Sequence, residues 1–159
     1  MTPAPELIAL AKATATKHGL DPALVCAVVE QESAWNPFAV RYEPAFMAKY
    51  VAPLYTNNKI SATEAYSRSF SWGLMQLMGQ VARERGAAFS FLSALCDPAN
   101  GLEWGCVYLK GKLASASGDV RKGLLAWNGG GNASYPDEVQ ARIPKYQVIE
   151  QGDEGVASD

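Results

Sequence analysis

The sequence predicts a mainly α-helical single domain with little or no β-sheet, and three observations support this prediction. Apolar residues recur at helical spacing, as at Leu102, Cys106 and Leu109, whereas no long alternating strand pattern occurs. Asp-Pro pairs at positions 21–22 and 97–98 are typical helix starts, because aspartate caps the first turn and proline fits its first position. A length of 159 residues is enough for one domain with a sizeable core.

Composition and charge exclude several classes of function. The chain is 48% hydrophobic and 19% charged, as in ordinary globular proteins, and its formal net charge is -2. That charge provides no basic field for nucleic acid. The N-terminus lacks the features of a signal peptide, and no apolar run approaches the length of a membrane span. We therefore expect synthesis in the cytoplasm, no stable membrane insertion and a monomer.

The chain has three cysteines and one histidine. An odd cysteine count without a secretory signal favours reduced thiols, with Cys26 and Cys106 as core residues. A bond between Cys96 and Cys106 is the less favoured alternative. Because the cysteines are widely spaced and His18 is the only histidine, we expect neither a metal site nor another cofactor.

The first part of the chain contains two predicted helices and a long irregular interval. An amphipathic helix from Pro5 to His18 ends before Gly19, whose lack of a side chain suits the end of a helix. A second helix begins at Asp21-Pro22 and ends at Asn36-Pro37, because the residue before proline avoids the helical region. The interval 38–70 is aromatic, with only small helical patterns, and we interpret it as an insertion.

The rest of the chain is predicted to be helical as well. The predicted helices span 79–85, 98–118, a short segment from 119, 135–143 and 144–149. A glycine-rich loop at 128–131 interrupts them, and glycine there permits positive φ and close backbone approach. Residues 151–159 are predicted to be a flexible acidic tail.

The end of the second helix carries the strongest chemical signal. Leu24, Val28 and Glu32 lie four residues apart, so Glu32 continues an apolar stripe, whereas Glu30 points to the other side. Burial of a carboxylate raises its pKa, and a proton held near neutral pH is what a general acid requires. The alternative is that Glu32 lies where the stripe reaches the protein edge and is only half-exposed. Helical phase alone favours neither interpretation.

Four segments together point to a family. They are ESAWNP at 32–37, SWGLMQLM at 71–78, LCDPANGLEWGCVYL at 95–109 and LLAWNGGGNASYPDEV at 124–139. In this order they resemble the catalytic domain of the soluble lytic transglycosylases, lysozyme-like enzymes that cleave the glycan of bacterial peptidoglycan. The resemblance implies a goose-type lysozyme-like helical fold, with one catalytic domain over 1–150 and the interval 38–70 at the rim of its groove.

The resemblance also implies a reaction. Family members break the β-1,4 bond between N-acetylmuramic acid and N-acetylglucosamine with a single glutamate. That glutamate protonates the glycosidic oxygen and then accepts the proton of the sugar's own 6-hydroxyl, which closes a 1,6-anhydro ring. Glu32 occupies the matching position, so both family motif and helical phase favour it over Glu30.

The same resemblance suggests the residues that would bind the glycan strand. Trp127 stands where the family commonly has a tyrosine that orients the glutamate, which leaves open how Glu32 is held; an indole can donate a hydrogen bond but cannot accept one. Met75 could line the groove floor, and Gln76 could bond to the sugar. The predicted substrate-binding set is Ser33, Glu43, Met75, Gln76, Trp127 and Asn128.

Glu43 separates two of the alternative functions. It could be a second carboxylate at the cleft that activates water in a hydrolytic muramidase, or an ion-pair partner of Arg41 or of a nearby lysine; the ion pair is the favoured interpretation. A catalytically weak glycan-binding module of a virion is a third alternative. A small domain without a signal peptide suits a bacteriophage enzyme that reaches the wall through a holin-type membrane lesion or as part of the virion.

Overall fold

The computed structural model describes residues 3–152, with side chains up to Gln147. In these residues the chain is mainly α-helical, which confirms the predicted fold class. In chain order the helices are α1 Pro5–Lys17, α2 Pro22–Ser33, α3 Pro44–Phe46, α4 Ala52–Thr56, α5 Ala62–Arg68, α6 Gly79–Glu84, α7 Pro98–Ser115, α8 Val120–Trp127, α9 Tyr135–Gln140 and α10 Ile143–Gly152. A π-helical segment at Met47–Val51 and a 3-10 helix at Leu92–Cys96 complete the helical structure of this part.

A small antiparallel sheet accompanies the helices. Its strands are β1 Val40–Tyr42, β2 Phe70–Trp72 and β3 Leu77–Met78, in the spatial order β1-β2-β3. Tyr42 pairs with Phe70, and Trp72 pairs with Leu77. Strands of two or three residues are too short to produce an alternating pattern, so the sequence gives no sign of them.

The predicted helix starts are confirmed by side-chain caps. The Asp21 carboxylate accepts a hydrogen bond from the backbone N–H of Ala23 at 2.8 Å, which satisfies a donor of the first turn of α2. Asp97 caps α7 in the same way through the N–H of Asn100, at 3.1 Å. Helix α1 ends at Lys17, and Gly19 follows with a φ of +68°, as expected of a glycine after a helix.

The chain divides into two compact units. The terminal unit consists of Met1–Gln31 with Leu109–Asp159, and the central unit consists of Glu32–Tyr108. The divisions fall within α2 and within α7, so both helices continue from one unit into the other. That residues 1–150 form a single domain stays a prediction.

The core of the terminal unit is built around α2. Every residue from Ala23 to Val29 is buried, so this helix is apolar on all sides and not along one stripe. Leu124, Val139 and Tyr146 bring α8, α9 and α10 into the same unit with fully buried side chains. Because this part of α2 is buried on every side, the predicted stripe through Leu24 and Val28 does not by itself show that Glu32 points inward.

The core of the central unit lies around α6 and the 3-10 helix. Its buried cluster consists of Leu77, Ala82, Ala87, Leu92 and Leu95. The interval 38–70 contains β1, α3, the π-helical segment, α4 and α5, and it leads from β1 to β2. Its position at a groove rim stays a prediction.

The C-terminal helix and the cysteines can be compared with what the sequence predicts. Helix α10 extends to Gly152 and so includes residues 151 and 152, which were predicted to belong to the tail; the rest of that prediction, 153–159, lies outside the described residues. The three cysteines are thiols, with Cys26 and Cys106 buried as predicted and Cys96 half-buried. None of the helices within residues 3–152 is long and apolar enough to cross a membrane.

Candidate active site

Glu30, in the last turn of α2, is bound by two residues of α10. Lys145 Nζ lies 3.0 Å from both carboxylate oxygens, and the Tyr146 hydroxyl donates to Oε2. Burial alone would raise the pKa of Glu30, but the hydrogen bonds from Tyr146 and Lys145, with the charges of Lys145 and Arg142, outweigh it and lower that pKa. Glu30 is therefore an ionised structural group, unsuited to hold a proton near neutral pH.

Gln31, the next residue, lies on a different side of α2 from Glu30 and is hydrogen-bonded to a different residue. Its Nε2 donates to Oε2 of Glu138 at 2.6 Å, across 107 positions of sequence. The other oxygen of Glu138 accepts hydrogen bonds from Ser134 Oγ at 2.6 Å and Asn132 Nδ2 at 3.2 Å. The pKa of Glu138 is lowered, mainly by the hydrogen bonds from Ser134 and Asn132. The hydrogen bond from Gln31 and the charge of Arg142 act in the same direction, and partial burial opposes them. This carboxylate joins α2 to the segment before α9.

Glu32 is the penultimate residue of α2 and is half-buried. The helix ends at Ser33, earlier than the predicted end at Asn36-Pro37, because Ala34 and Trp35 follow with φ of +49° and +65°. Two successive non-glycine residues in the left-handed region are unusual, and such strain clusters at functional sites. Burial of Trp35, which is 6% exposed, helps to hold this turn. The sequence-predicted general acid thus lies two residues before two strained backbone positions.

Ser33 also lies at this helix end and is half-buried. Its carbonyl oxygen accepts a hydrogen bond from the N–H of Asn36 at 3.0 Å. Asn36 Oδ1 in turn accepts from the N–H of Phe38, also at 3.0 Å. The segment that leads from Glu32 towards β1 is therefore ordered by local hydrogen bonds.

The turn between β2 and β3 carries Gln76. This residue has a φ of +47°, and its side-chain amide has three partners within the protein. Oε1 accepts from Ser71 Oγ at 2.9 Å, while Nε2 donates to the carbonyl oxygens of Ala39 and Gly73, both at 2.9 Å. Both amide donors are thus occupied inside the central unit. A role in sugar binding stays a prediction, and the observed role is to connect this turn to β1.

Met75, in the same turn, has no exposed surface. A Cβ atom placed on Gly105 of α7 would lie 2.3 Å from Met75 Sδ, so the sulfur packs against the bare backbone of that helix. This corrects the assignment of Met75 to the groove floor: the side chain belongs to the core of the central unit. The sequence could not show this, because the packing depends on a glycine 30 positions away.

The Glu43 carboxylate accepts a hydrogen bond from Arg41 Nε, and the two side chains form an ion pair. The favoured interpretation of Glu43 as a partner of Arg41 is thereby confirmed. The Arg41 side chain is 74% exposed and that of Glu43 is 31% exposed, so solvent screens the pair.

The remaining predicted residues belong to the terminal unit. Trp127 is the last residue of α8, and Asn128 follows it; both are half-buried. Asn128 Oδ1 accepts a hydrogen bond from the N–H of Asn132 at 2.9 Å, which closes the glycine loop. Gly129 and Gly130 adopt φ of +74° and +77°, which explains why glycine is required in this loop.

The predicted site residues are thus divided between the two units. Glu32, Ser33, Glu43, Met75 and Gln76 belong to the central unit, and Trp127 and Asn128 belong to the terminal unit. Sequence reasoning missed Glu138, because its connection to Gln31 spans most of the chain. In the part of the chain that the structure describes, no three His, Cys, Asp or Glu side chains form a group that could hold a metal ion.

Comparisons with known proteins match most of the chain. The family described as "Transglycosylase SLT domain" matches residues 9–147. A "Transglycosylase" of Enterobacteria phage PRD1 is 30% identical over an alignment of 139 residues, which covers 82% of this chain and 40% of that relative. The crystal structure of the Burkholderia AP3 phage endolysin is similar with a TM-score of 0.61 and 23% identity, over 90% of this chain and 71% of that one. The chain spans about two-fifths of the length of the phage relative, and the structural similarity indicates a shared fold.

Proposed function

The chain belongs to the transglycosylase SLT-domain family, and from this premise we propose that it degrades peptidoglycan as a lytic transglycosylase with Glu32 as its acid and base. The observation that carries this assignment concerns the neighbouring acids. Glu30 is bound by Tyr146 and Lys145 with a lowered pKa, and Glu43 is paired with Arg41. Glu32 is the motif carboxylate that stands before the strained turn.

The proposed reaction uses one carboxyl group twice. Glu32 gives its proton to the glycosidic oxygen between N-acetylmuramic acid and N-acetylglucosamine as the bond to the anomeric carbon breaks. The resulting carboxylate then accepts the proton of the 6-hydroxyl, whose oxygen bonds to the anomeric carbon. The products are a shortened glycan and a 1,6-anhydro end, and no water is consumed.

A hydrolytic muramidase on the same fold is the competing function. It requires a second carboxylate to activate water or to form a covalent intermediate. Glu43 was the candidate in the sequence, and its contact with Arg41 argues against this use, since the carboxylate already accepts a hydrogen bond from a side chain of the protein. We also propose a role in opening a bacterial wall during a bacteriophage cycle, supported by the phage origin of the relative.

Product analysis tests the proposal. Purified peptidoglycan is digested, reduced with borohydride and analysed by mass, since anhydro ends resist reduction and are lighter by one water. Glu32→Gln should lower the rate by roughly two to four orders of magnitude. Glu43→Gln, the matched control, should keep both the rate within a few-fold and the anhydro product. Reducible ends that disappear in Glu43→Gln would establish the muramidase mechanism instead.

A further inference from the structure

One carboxylate of the terminal unit, Glu138, connects two of the motif segments. Its Oε2 accepts from Gln31 Nε2 at 2.6 Å, and Gln31 directly precedes Glu32 in α2. Its Oε1 accepts from Ser134 Oγ at 2.6 Å and from Asn132 Nδ2 at 3.2 Å. Three hydrogen bonds from two segments therefore meet at a single side chain.

We infer that Glu138 is a positioning residue that acts through Gln31 to set the orientation of the last turn of α2, and so of Glu32. The inference rests on the proposed function of Glu32. It concerns geometry: the proton transfers are assigned to Glu32, and Glu138 is proposed as a positioning residue, not a catalytic one. Its two shortest hydrogen bonds, from Gln31 and Ser134 at 2.6 Å, are charge-assisted and hold the carboxylate between α2 and the loop.

The end of α2 depends on such side-chain contacts. Regular helical hydrogen bonding stops at Ser33, because Ala34 and Trp35 leave the helical region. Within the last helical turn, Glu30 is also bound to α10 and Gln31 is also bound to Glu138. Consecutive residues differ by about 100° around a helix, so two such contacts oppose rotation of the turn. Loss of either contact lets the turn rotate or fray.

The other side of Glu138 orders the glycine loop. Asn132 gives its backbone N–H to Asn128 Oδ1 at 2.9 Å, and its own Oδ1 accepts from the N–H of Ser134 at 3.0 Å. Because residues 129–131 are glycines, the loop would have a high conformational entropy without these hydrogen bonds. By holding Asn132 and Ser134, Glu138 fixes the shape of the loop that begins at motif residue Asn128.

Glu138→Ala tests the inference, with Asp137→Ala as its matched control. Asp137 is the preceding carboxylate of α9, and it pairs with Arg121 at exposed positions. On soluble glycan strands, Glu138→Ala should lower kcat roughly 10-fold to 100-fold with KM within about two-fold, because misplacement of a reacting group by an ångström costs rate. Asp137→Ala should keep both constants within about two-fold of wild type.

Two further variants separate positioning from simple stabilisation. Glu138→Gln should restore most of kcat, because its amide oxygen accepts from Ser134 while its NH₂ donates to Gln31 Oε1 once the Gln31 amide flips. Gln31→Met should reproduce the loss, and Gln31→Met with Glu138→Ala should be no slower than the slower single variant, since both remove one contact. Gln31→Met is measured alone if Glu138→Ala does not fold.

The opposite results overturn the inference. A kcat for Glu138→Ala or Gln31→Met within two-fold of Asp137→Ala would show that the contact does not position the acid. Multiplying losses in the double variant would show that the two residues act by separate routes. Turnover retained in Glu32→Gln would instead overturn the proposed function, so the two failures are distinguishable.

Discussion

Gln76 Nε2 lies 2.9 Å from the carbonyl oxygen of Ala39 and 2.9 Å from that of Gly73. The amide thereby joins the β2–β3 turn to the residue before β1. Its Oε1 is occupied by Ser71 Oγ, so the side chain is bonded at both ends. The positive φ of Gln76 costs about 1 kcal/mol, which these bonds offset.

Gln76→Ala should therefore destabilise the protein by about 1–3 kcal/mol, because the carbonyl oxygens of Ala39 and Gly73 and the Ser71 hydroxyl each lose one hydrogen bond. Gln76→Glu should be worse, since a carboxylate keeps the shape but brings oxygen against the carbonyls of Ala39 and Gly73. Urea unfolding of the three proteins measures this order. If both variants unfold like wild type while glycan binding is lost, the groove role predicted from the sequence is the correct one.

Gly73 and Gly101 are required for a different reason, the close approach of the Leu95 carbonyl oxygen. A Cβ atom would lie 2.3 Å from that oxygen at Gly73 and 2.6 Å from it at Gly101. Gly73→Ala should cost more than the roughly 1–3 kcal/mol of an overpacked position, because its φ is also +66°. Thermal unfolding measures the loss.

Gly19→Ala is the matched control for that prediction. Gly19 has nearly the same φ, +68°, but no atom within 4 Å of an added Cβ. Its substitution should cost only the backbone strain of about 1–2 kcal/mol. Equal losses at Gly19 and Gly73 would mean that the contact with Leu95 relaxes without cost.

A half-buried ionic contact in the central unit gives a third prediction. Arg83 binds both oxygens of Glu64, at 2.7 and 3.2 Å, and also donates to the carbonyls of Ala87 and Phe89 at 2.9 and 2.7 Å. The Arg83 bonds, reinforced by Arg68, lower the pKa of Glu64 although burial opposes them. Arg83→Met should destabilise by about 3 kcal/mol, because it leaves four acceptors without this donor.

Arg68→Met is its control, measured by the same urea unfolding. Arg68 makes one bond to Glu64, at 2.8 Å, and a longer one to Gln80, at 3.3 Å. The loss should be clearly smaller than for Arg83→Met. Equal losses would indicate that only the charge of Glu64 matters and that the carbonyl bonds contribute nothing.

The features that the sequence predicted correctly are local ones. Asp21 and Asp97 indicate helix starts because a capping side chain bonds to a backbone N–H within three residues of it. Arg41 lies in β1 and Glu43 directly follows that strand, two residues later. Their pairing is local, so the sequence could predict it. The order of the four motif segments identified the family without any knowledge of tertiary structure.

The features that it missed depend on distant contacts. Met75 is in the core because Gly105 leaves room for its sulfur, and no local pattern reports that room. The early end of α2 depends on left-handed Ala34 and Trp35, residue types that rarely adopt such φ. Gln31 and Glu138 meet across 107 positions, so only the structure shows their bond.

The last prediction concerns the pH dependence of stability and follows from Glu30. Its pKa in the folded protein is lowered from an ordinary value of 4.5, because the Tyr146 and Lys145 bonds outweigh the effect of burial. A lowered pKa means that the folded state prefers the ionised form. The stabilisation is therefore complete above the unfolded-state pKa and is lost as the pH falls through the lower folded-state pKa.

Glu30→Gln should thus be less stable than wild type at pH 7, and the difference should shrink as the pH falls below about 4.5. Asp137→Asn is the matched control: the pKa of Asp137 is also lowered, by Arg121, but that pair is exposed and screened, so its substitution should change stability little at either pH. Urea unfolding at pH 7 and pH 3 measures both differences. A stability gap for Glu30→Gln that stays constant between these values would show that Tyr146 and Lys145 bind the glutamate equally well when it is protonated, which contradicts the charge-assisted contact.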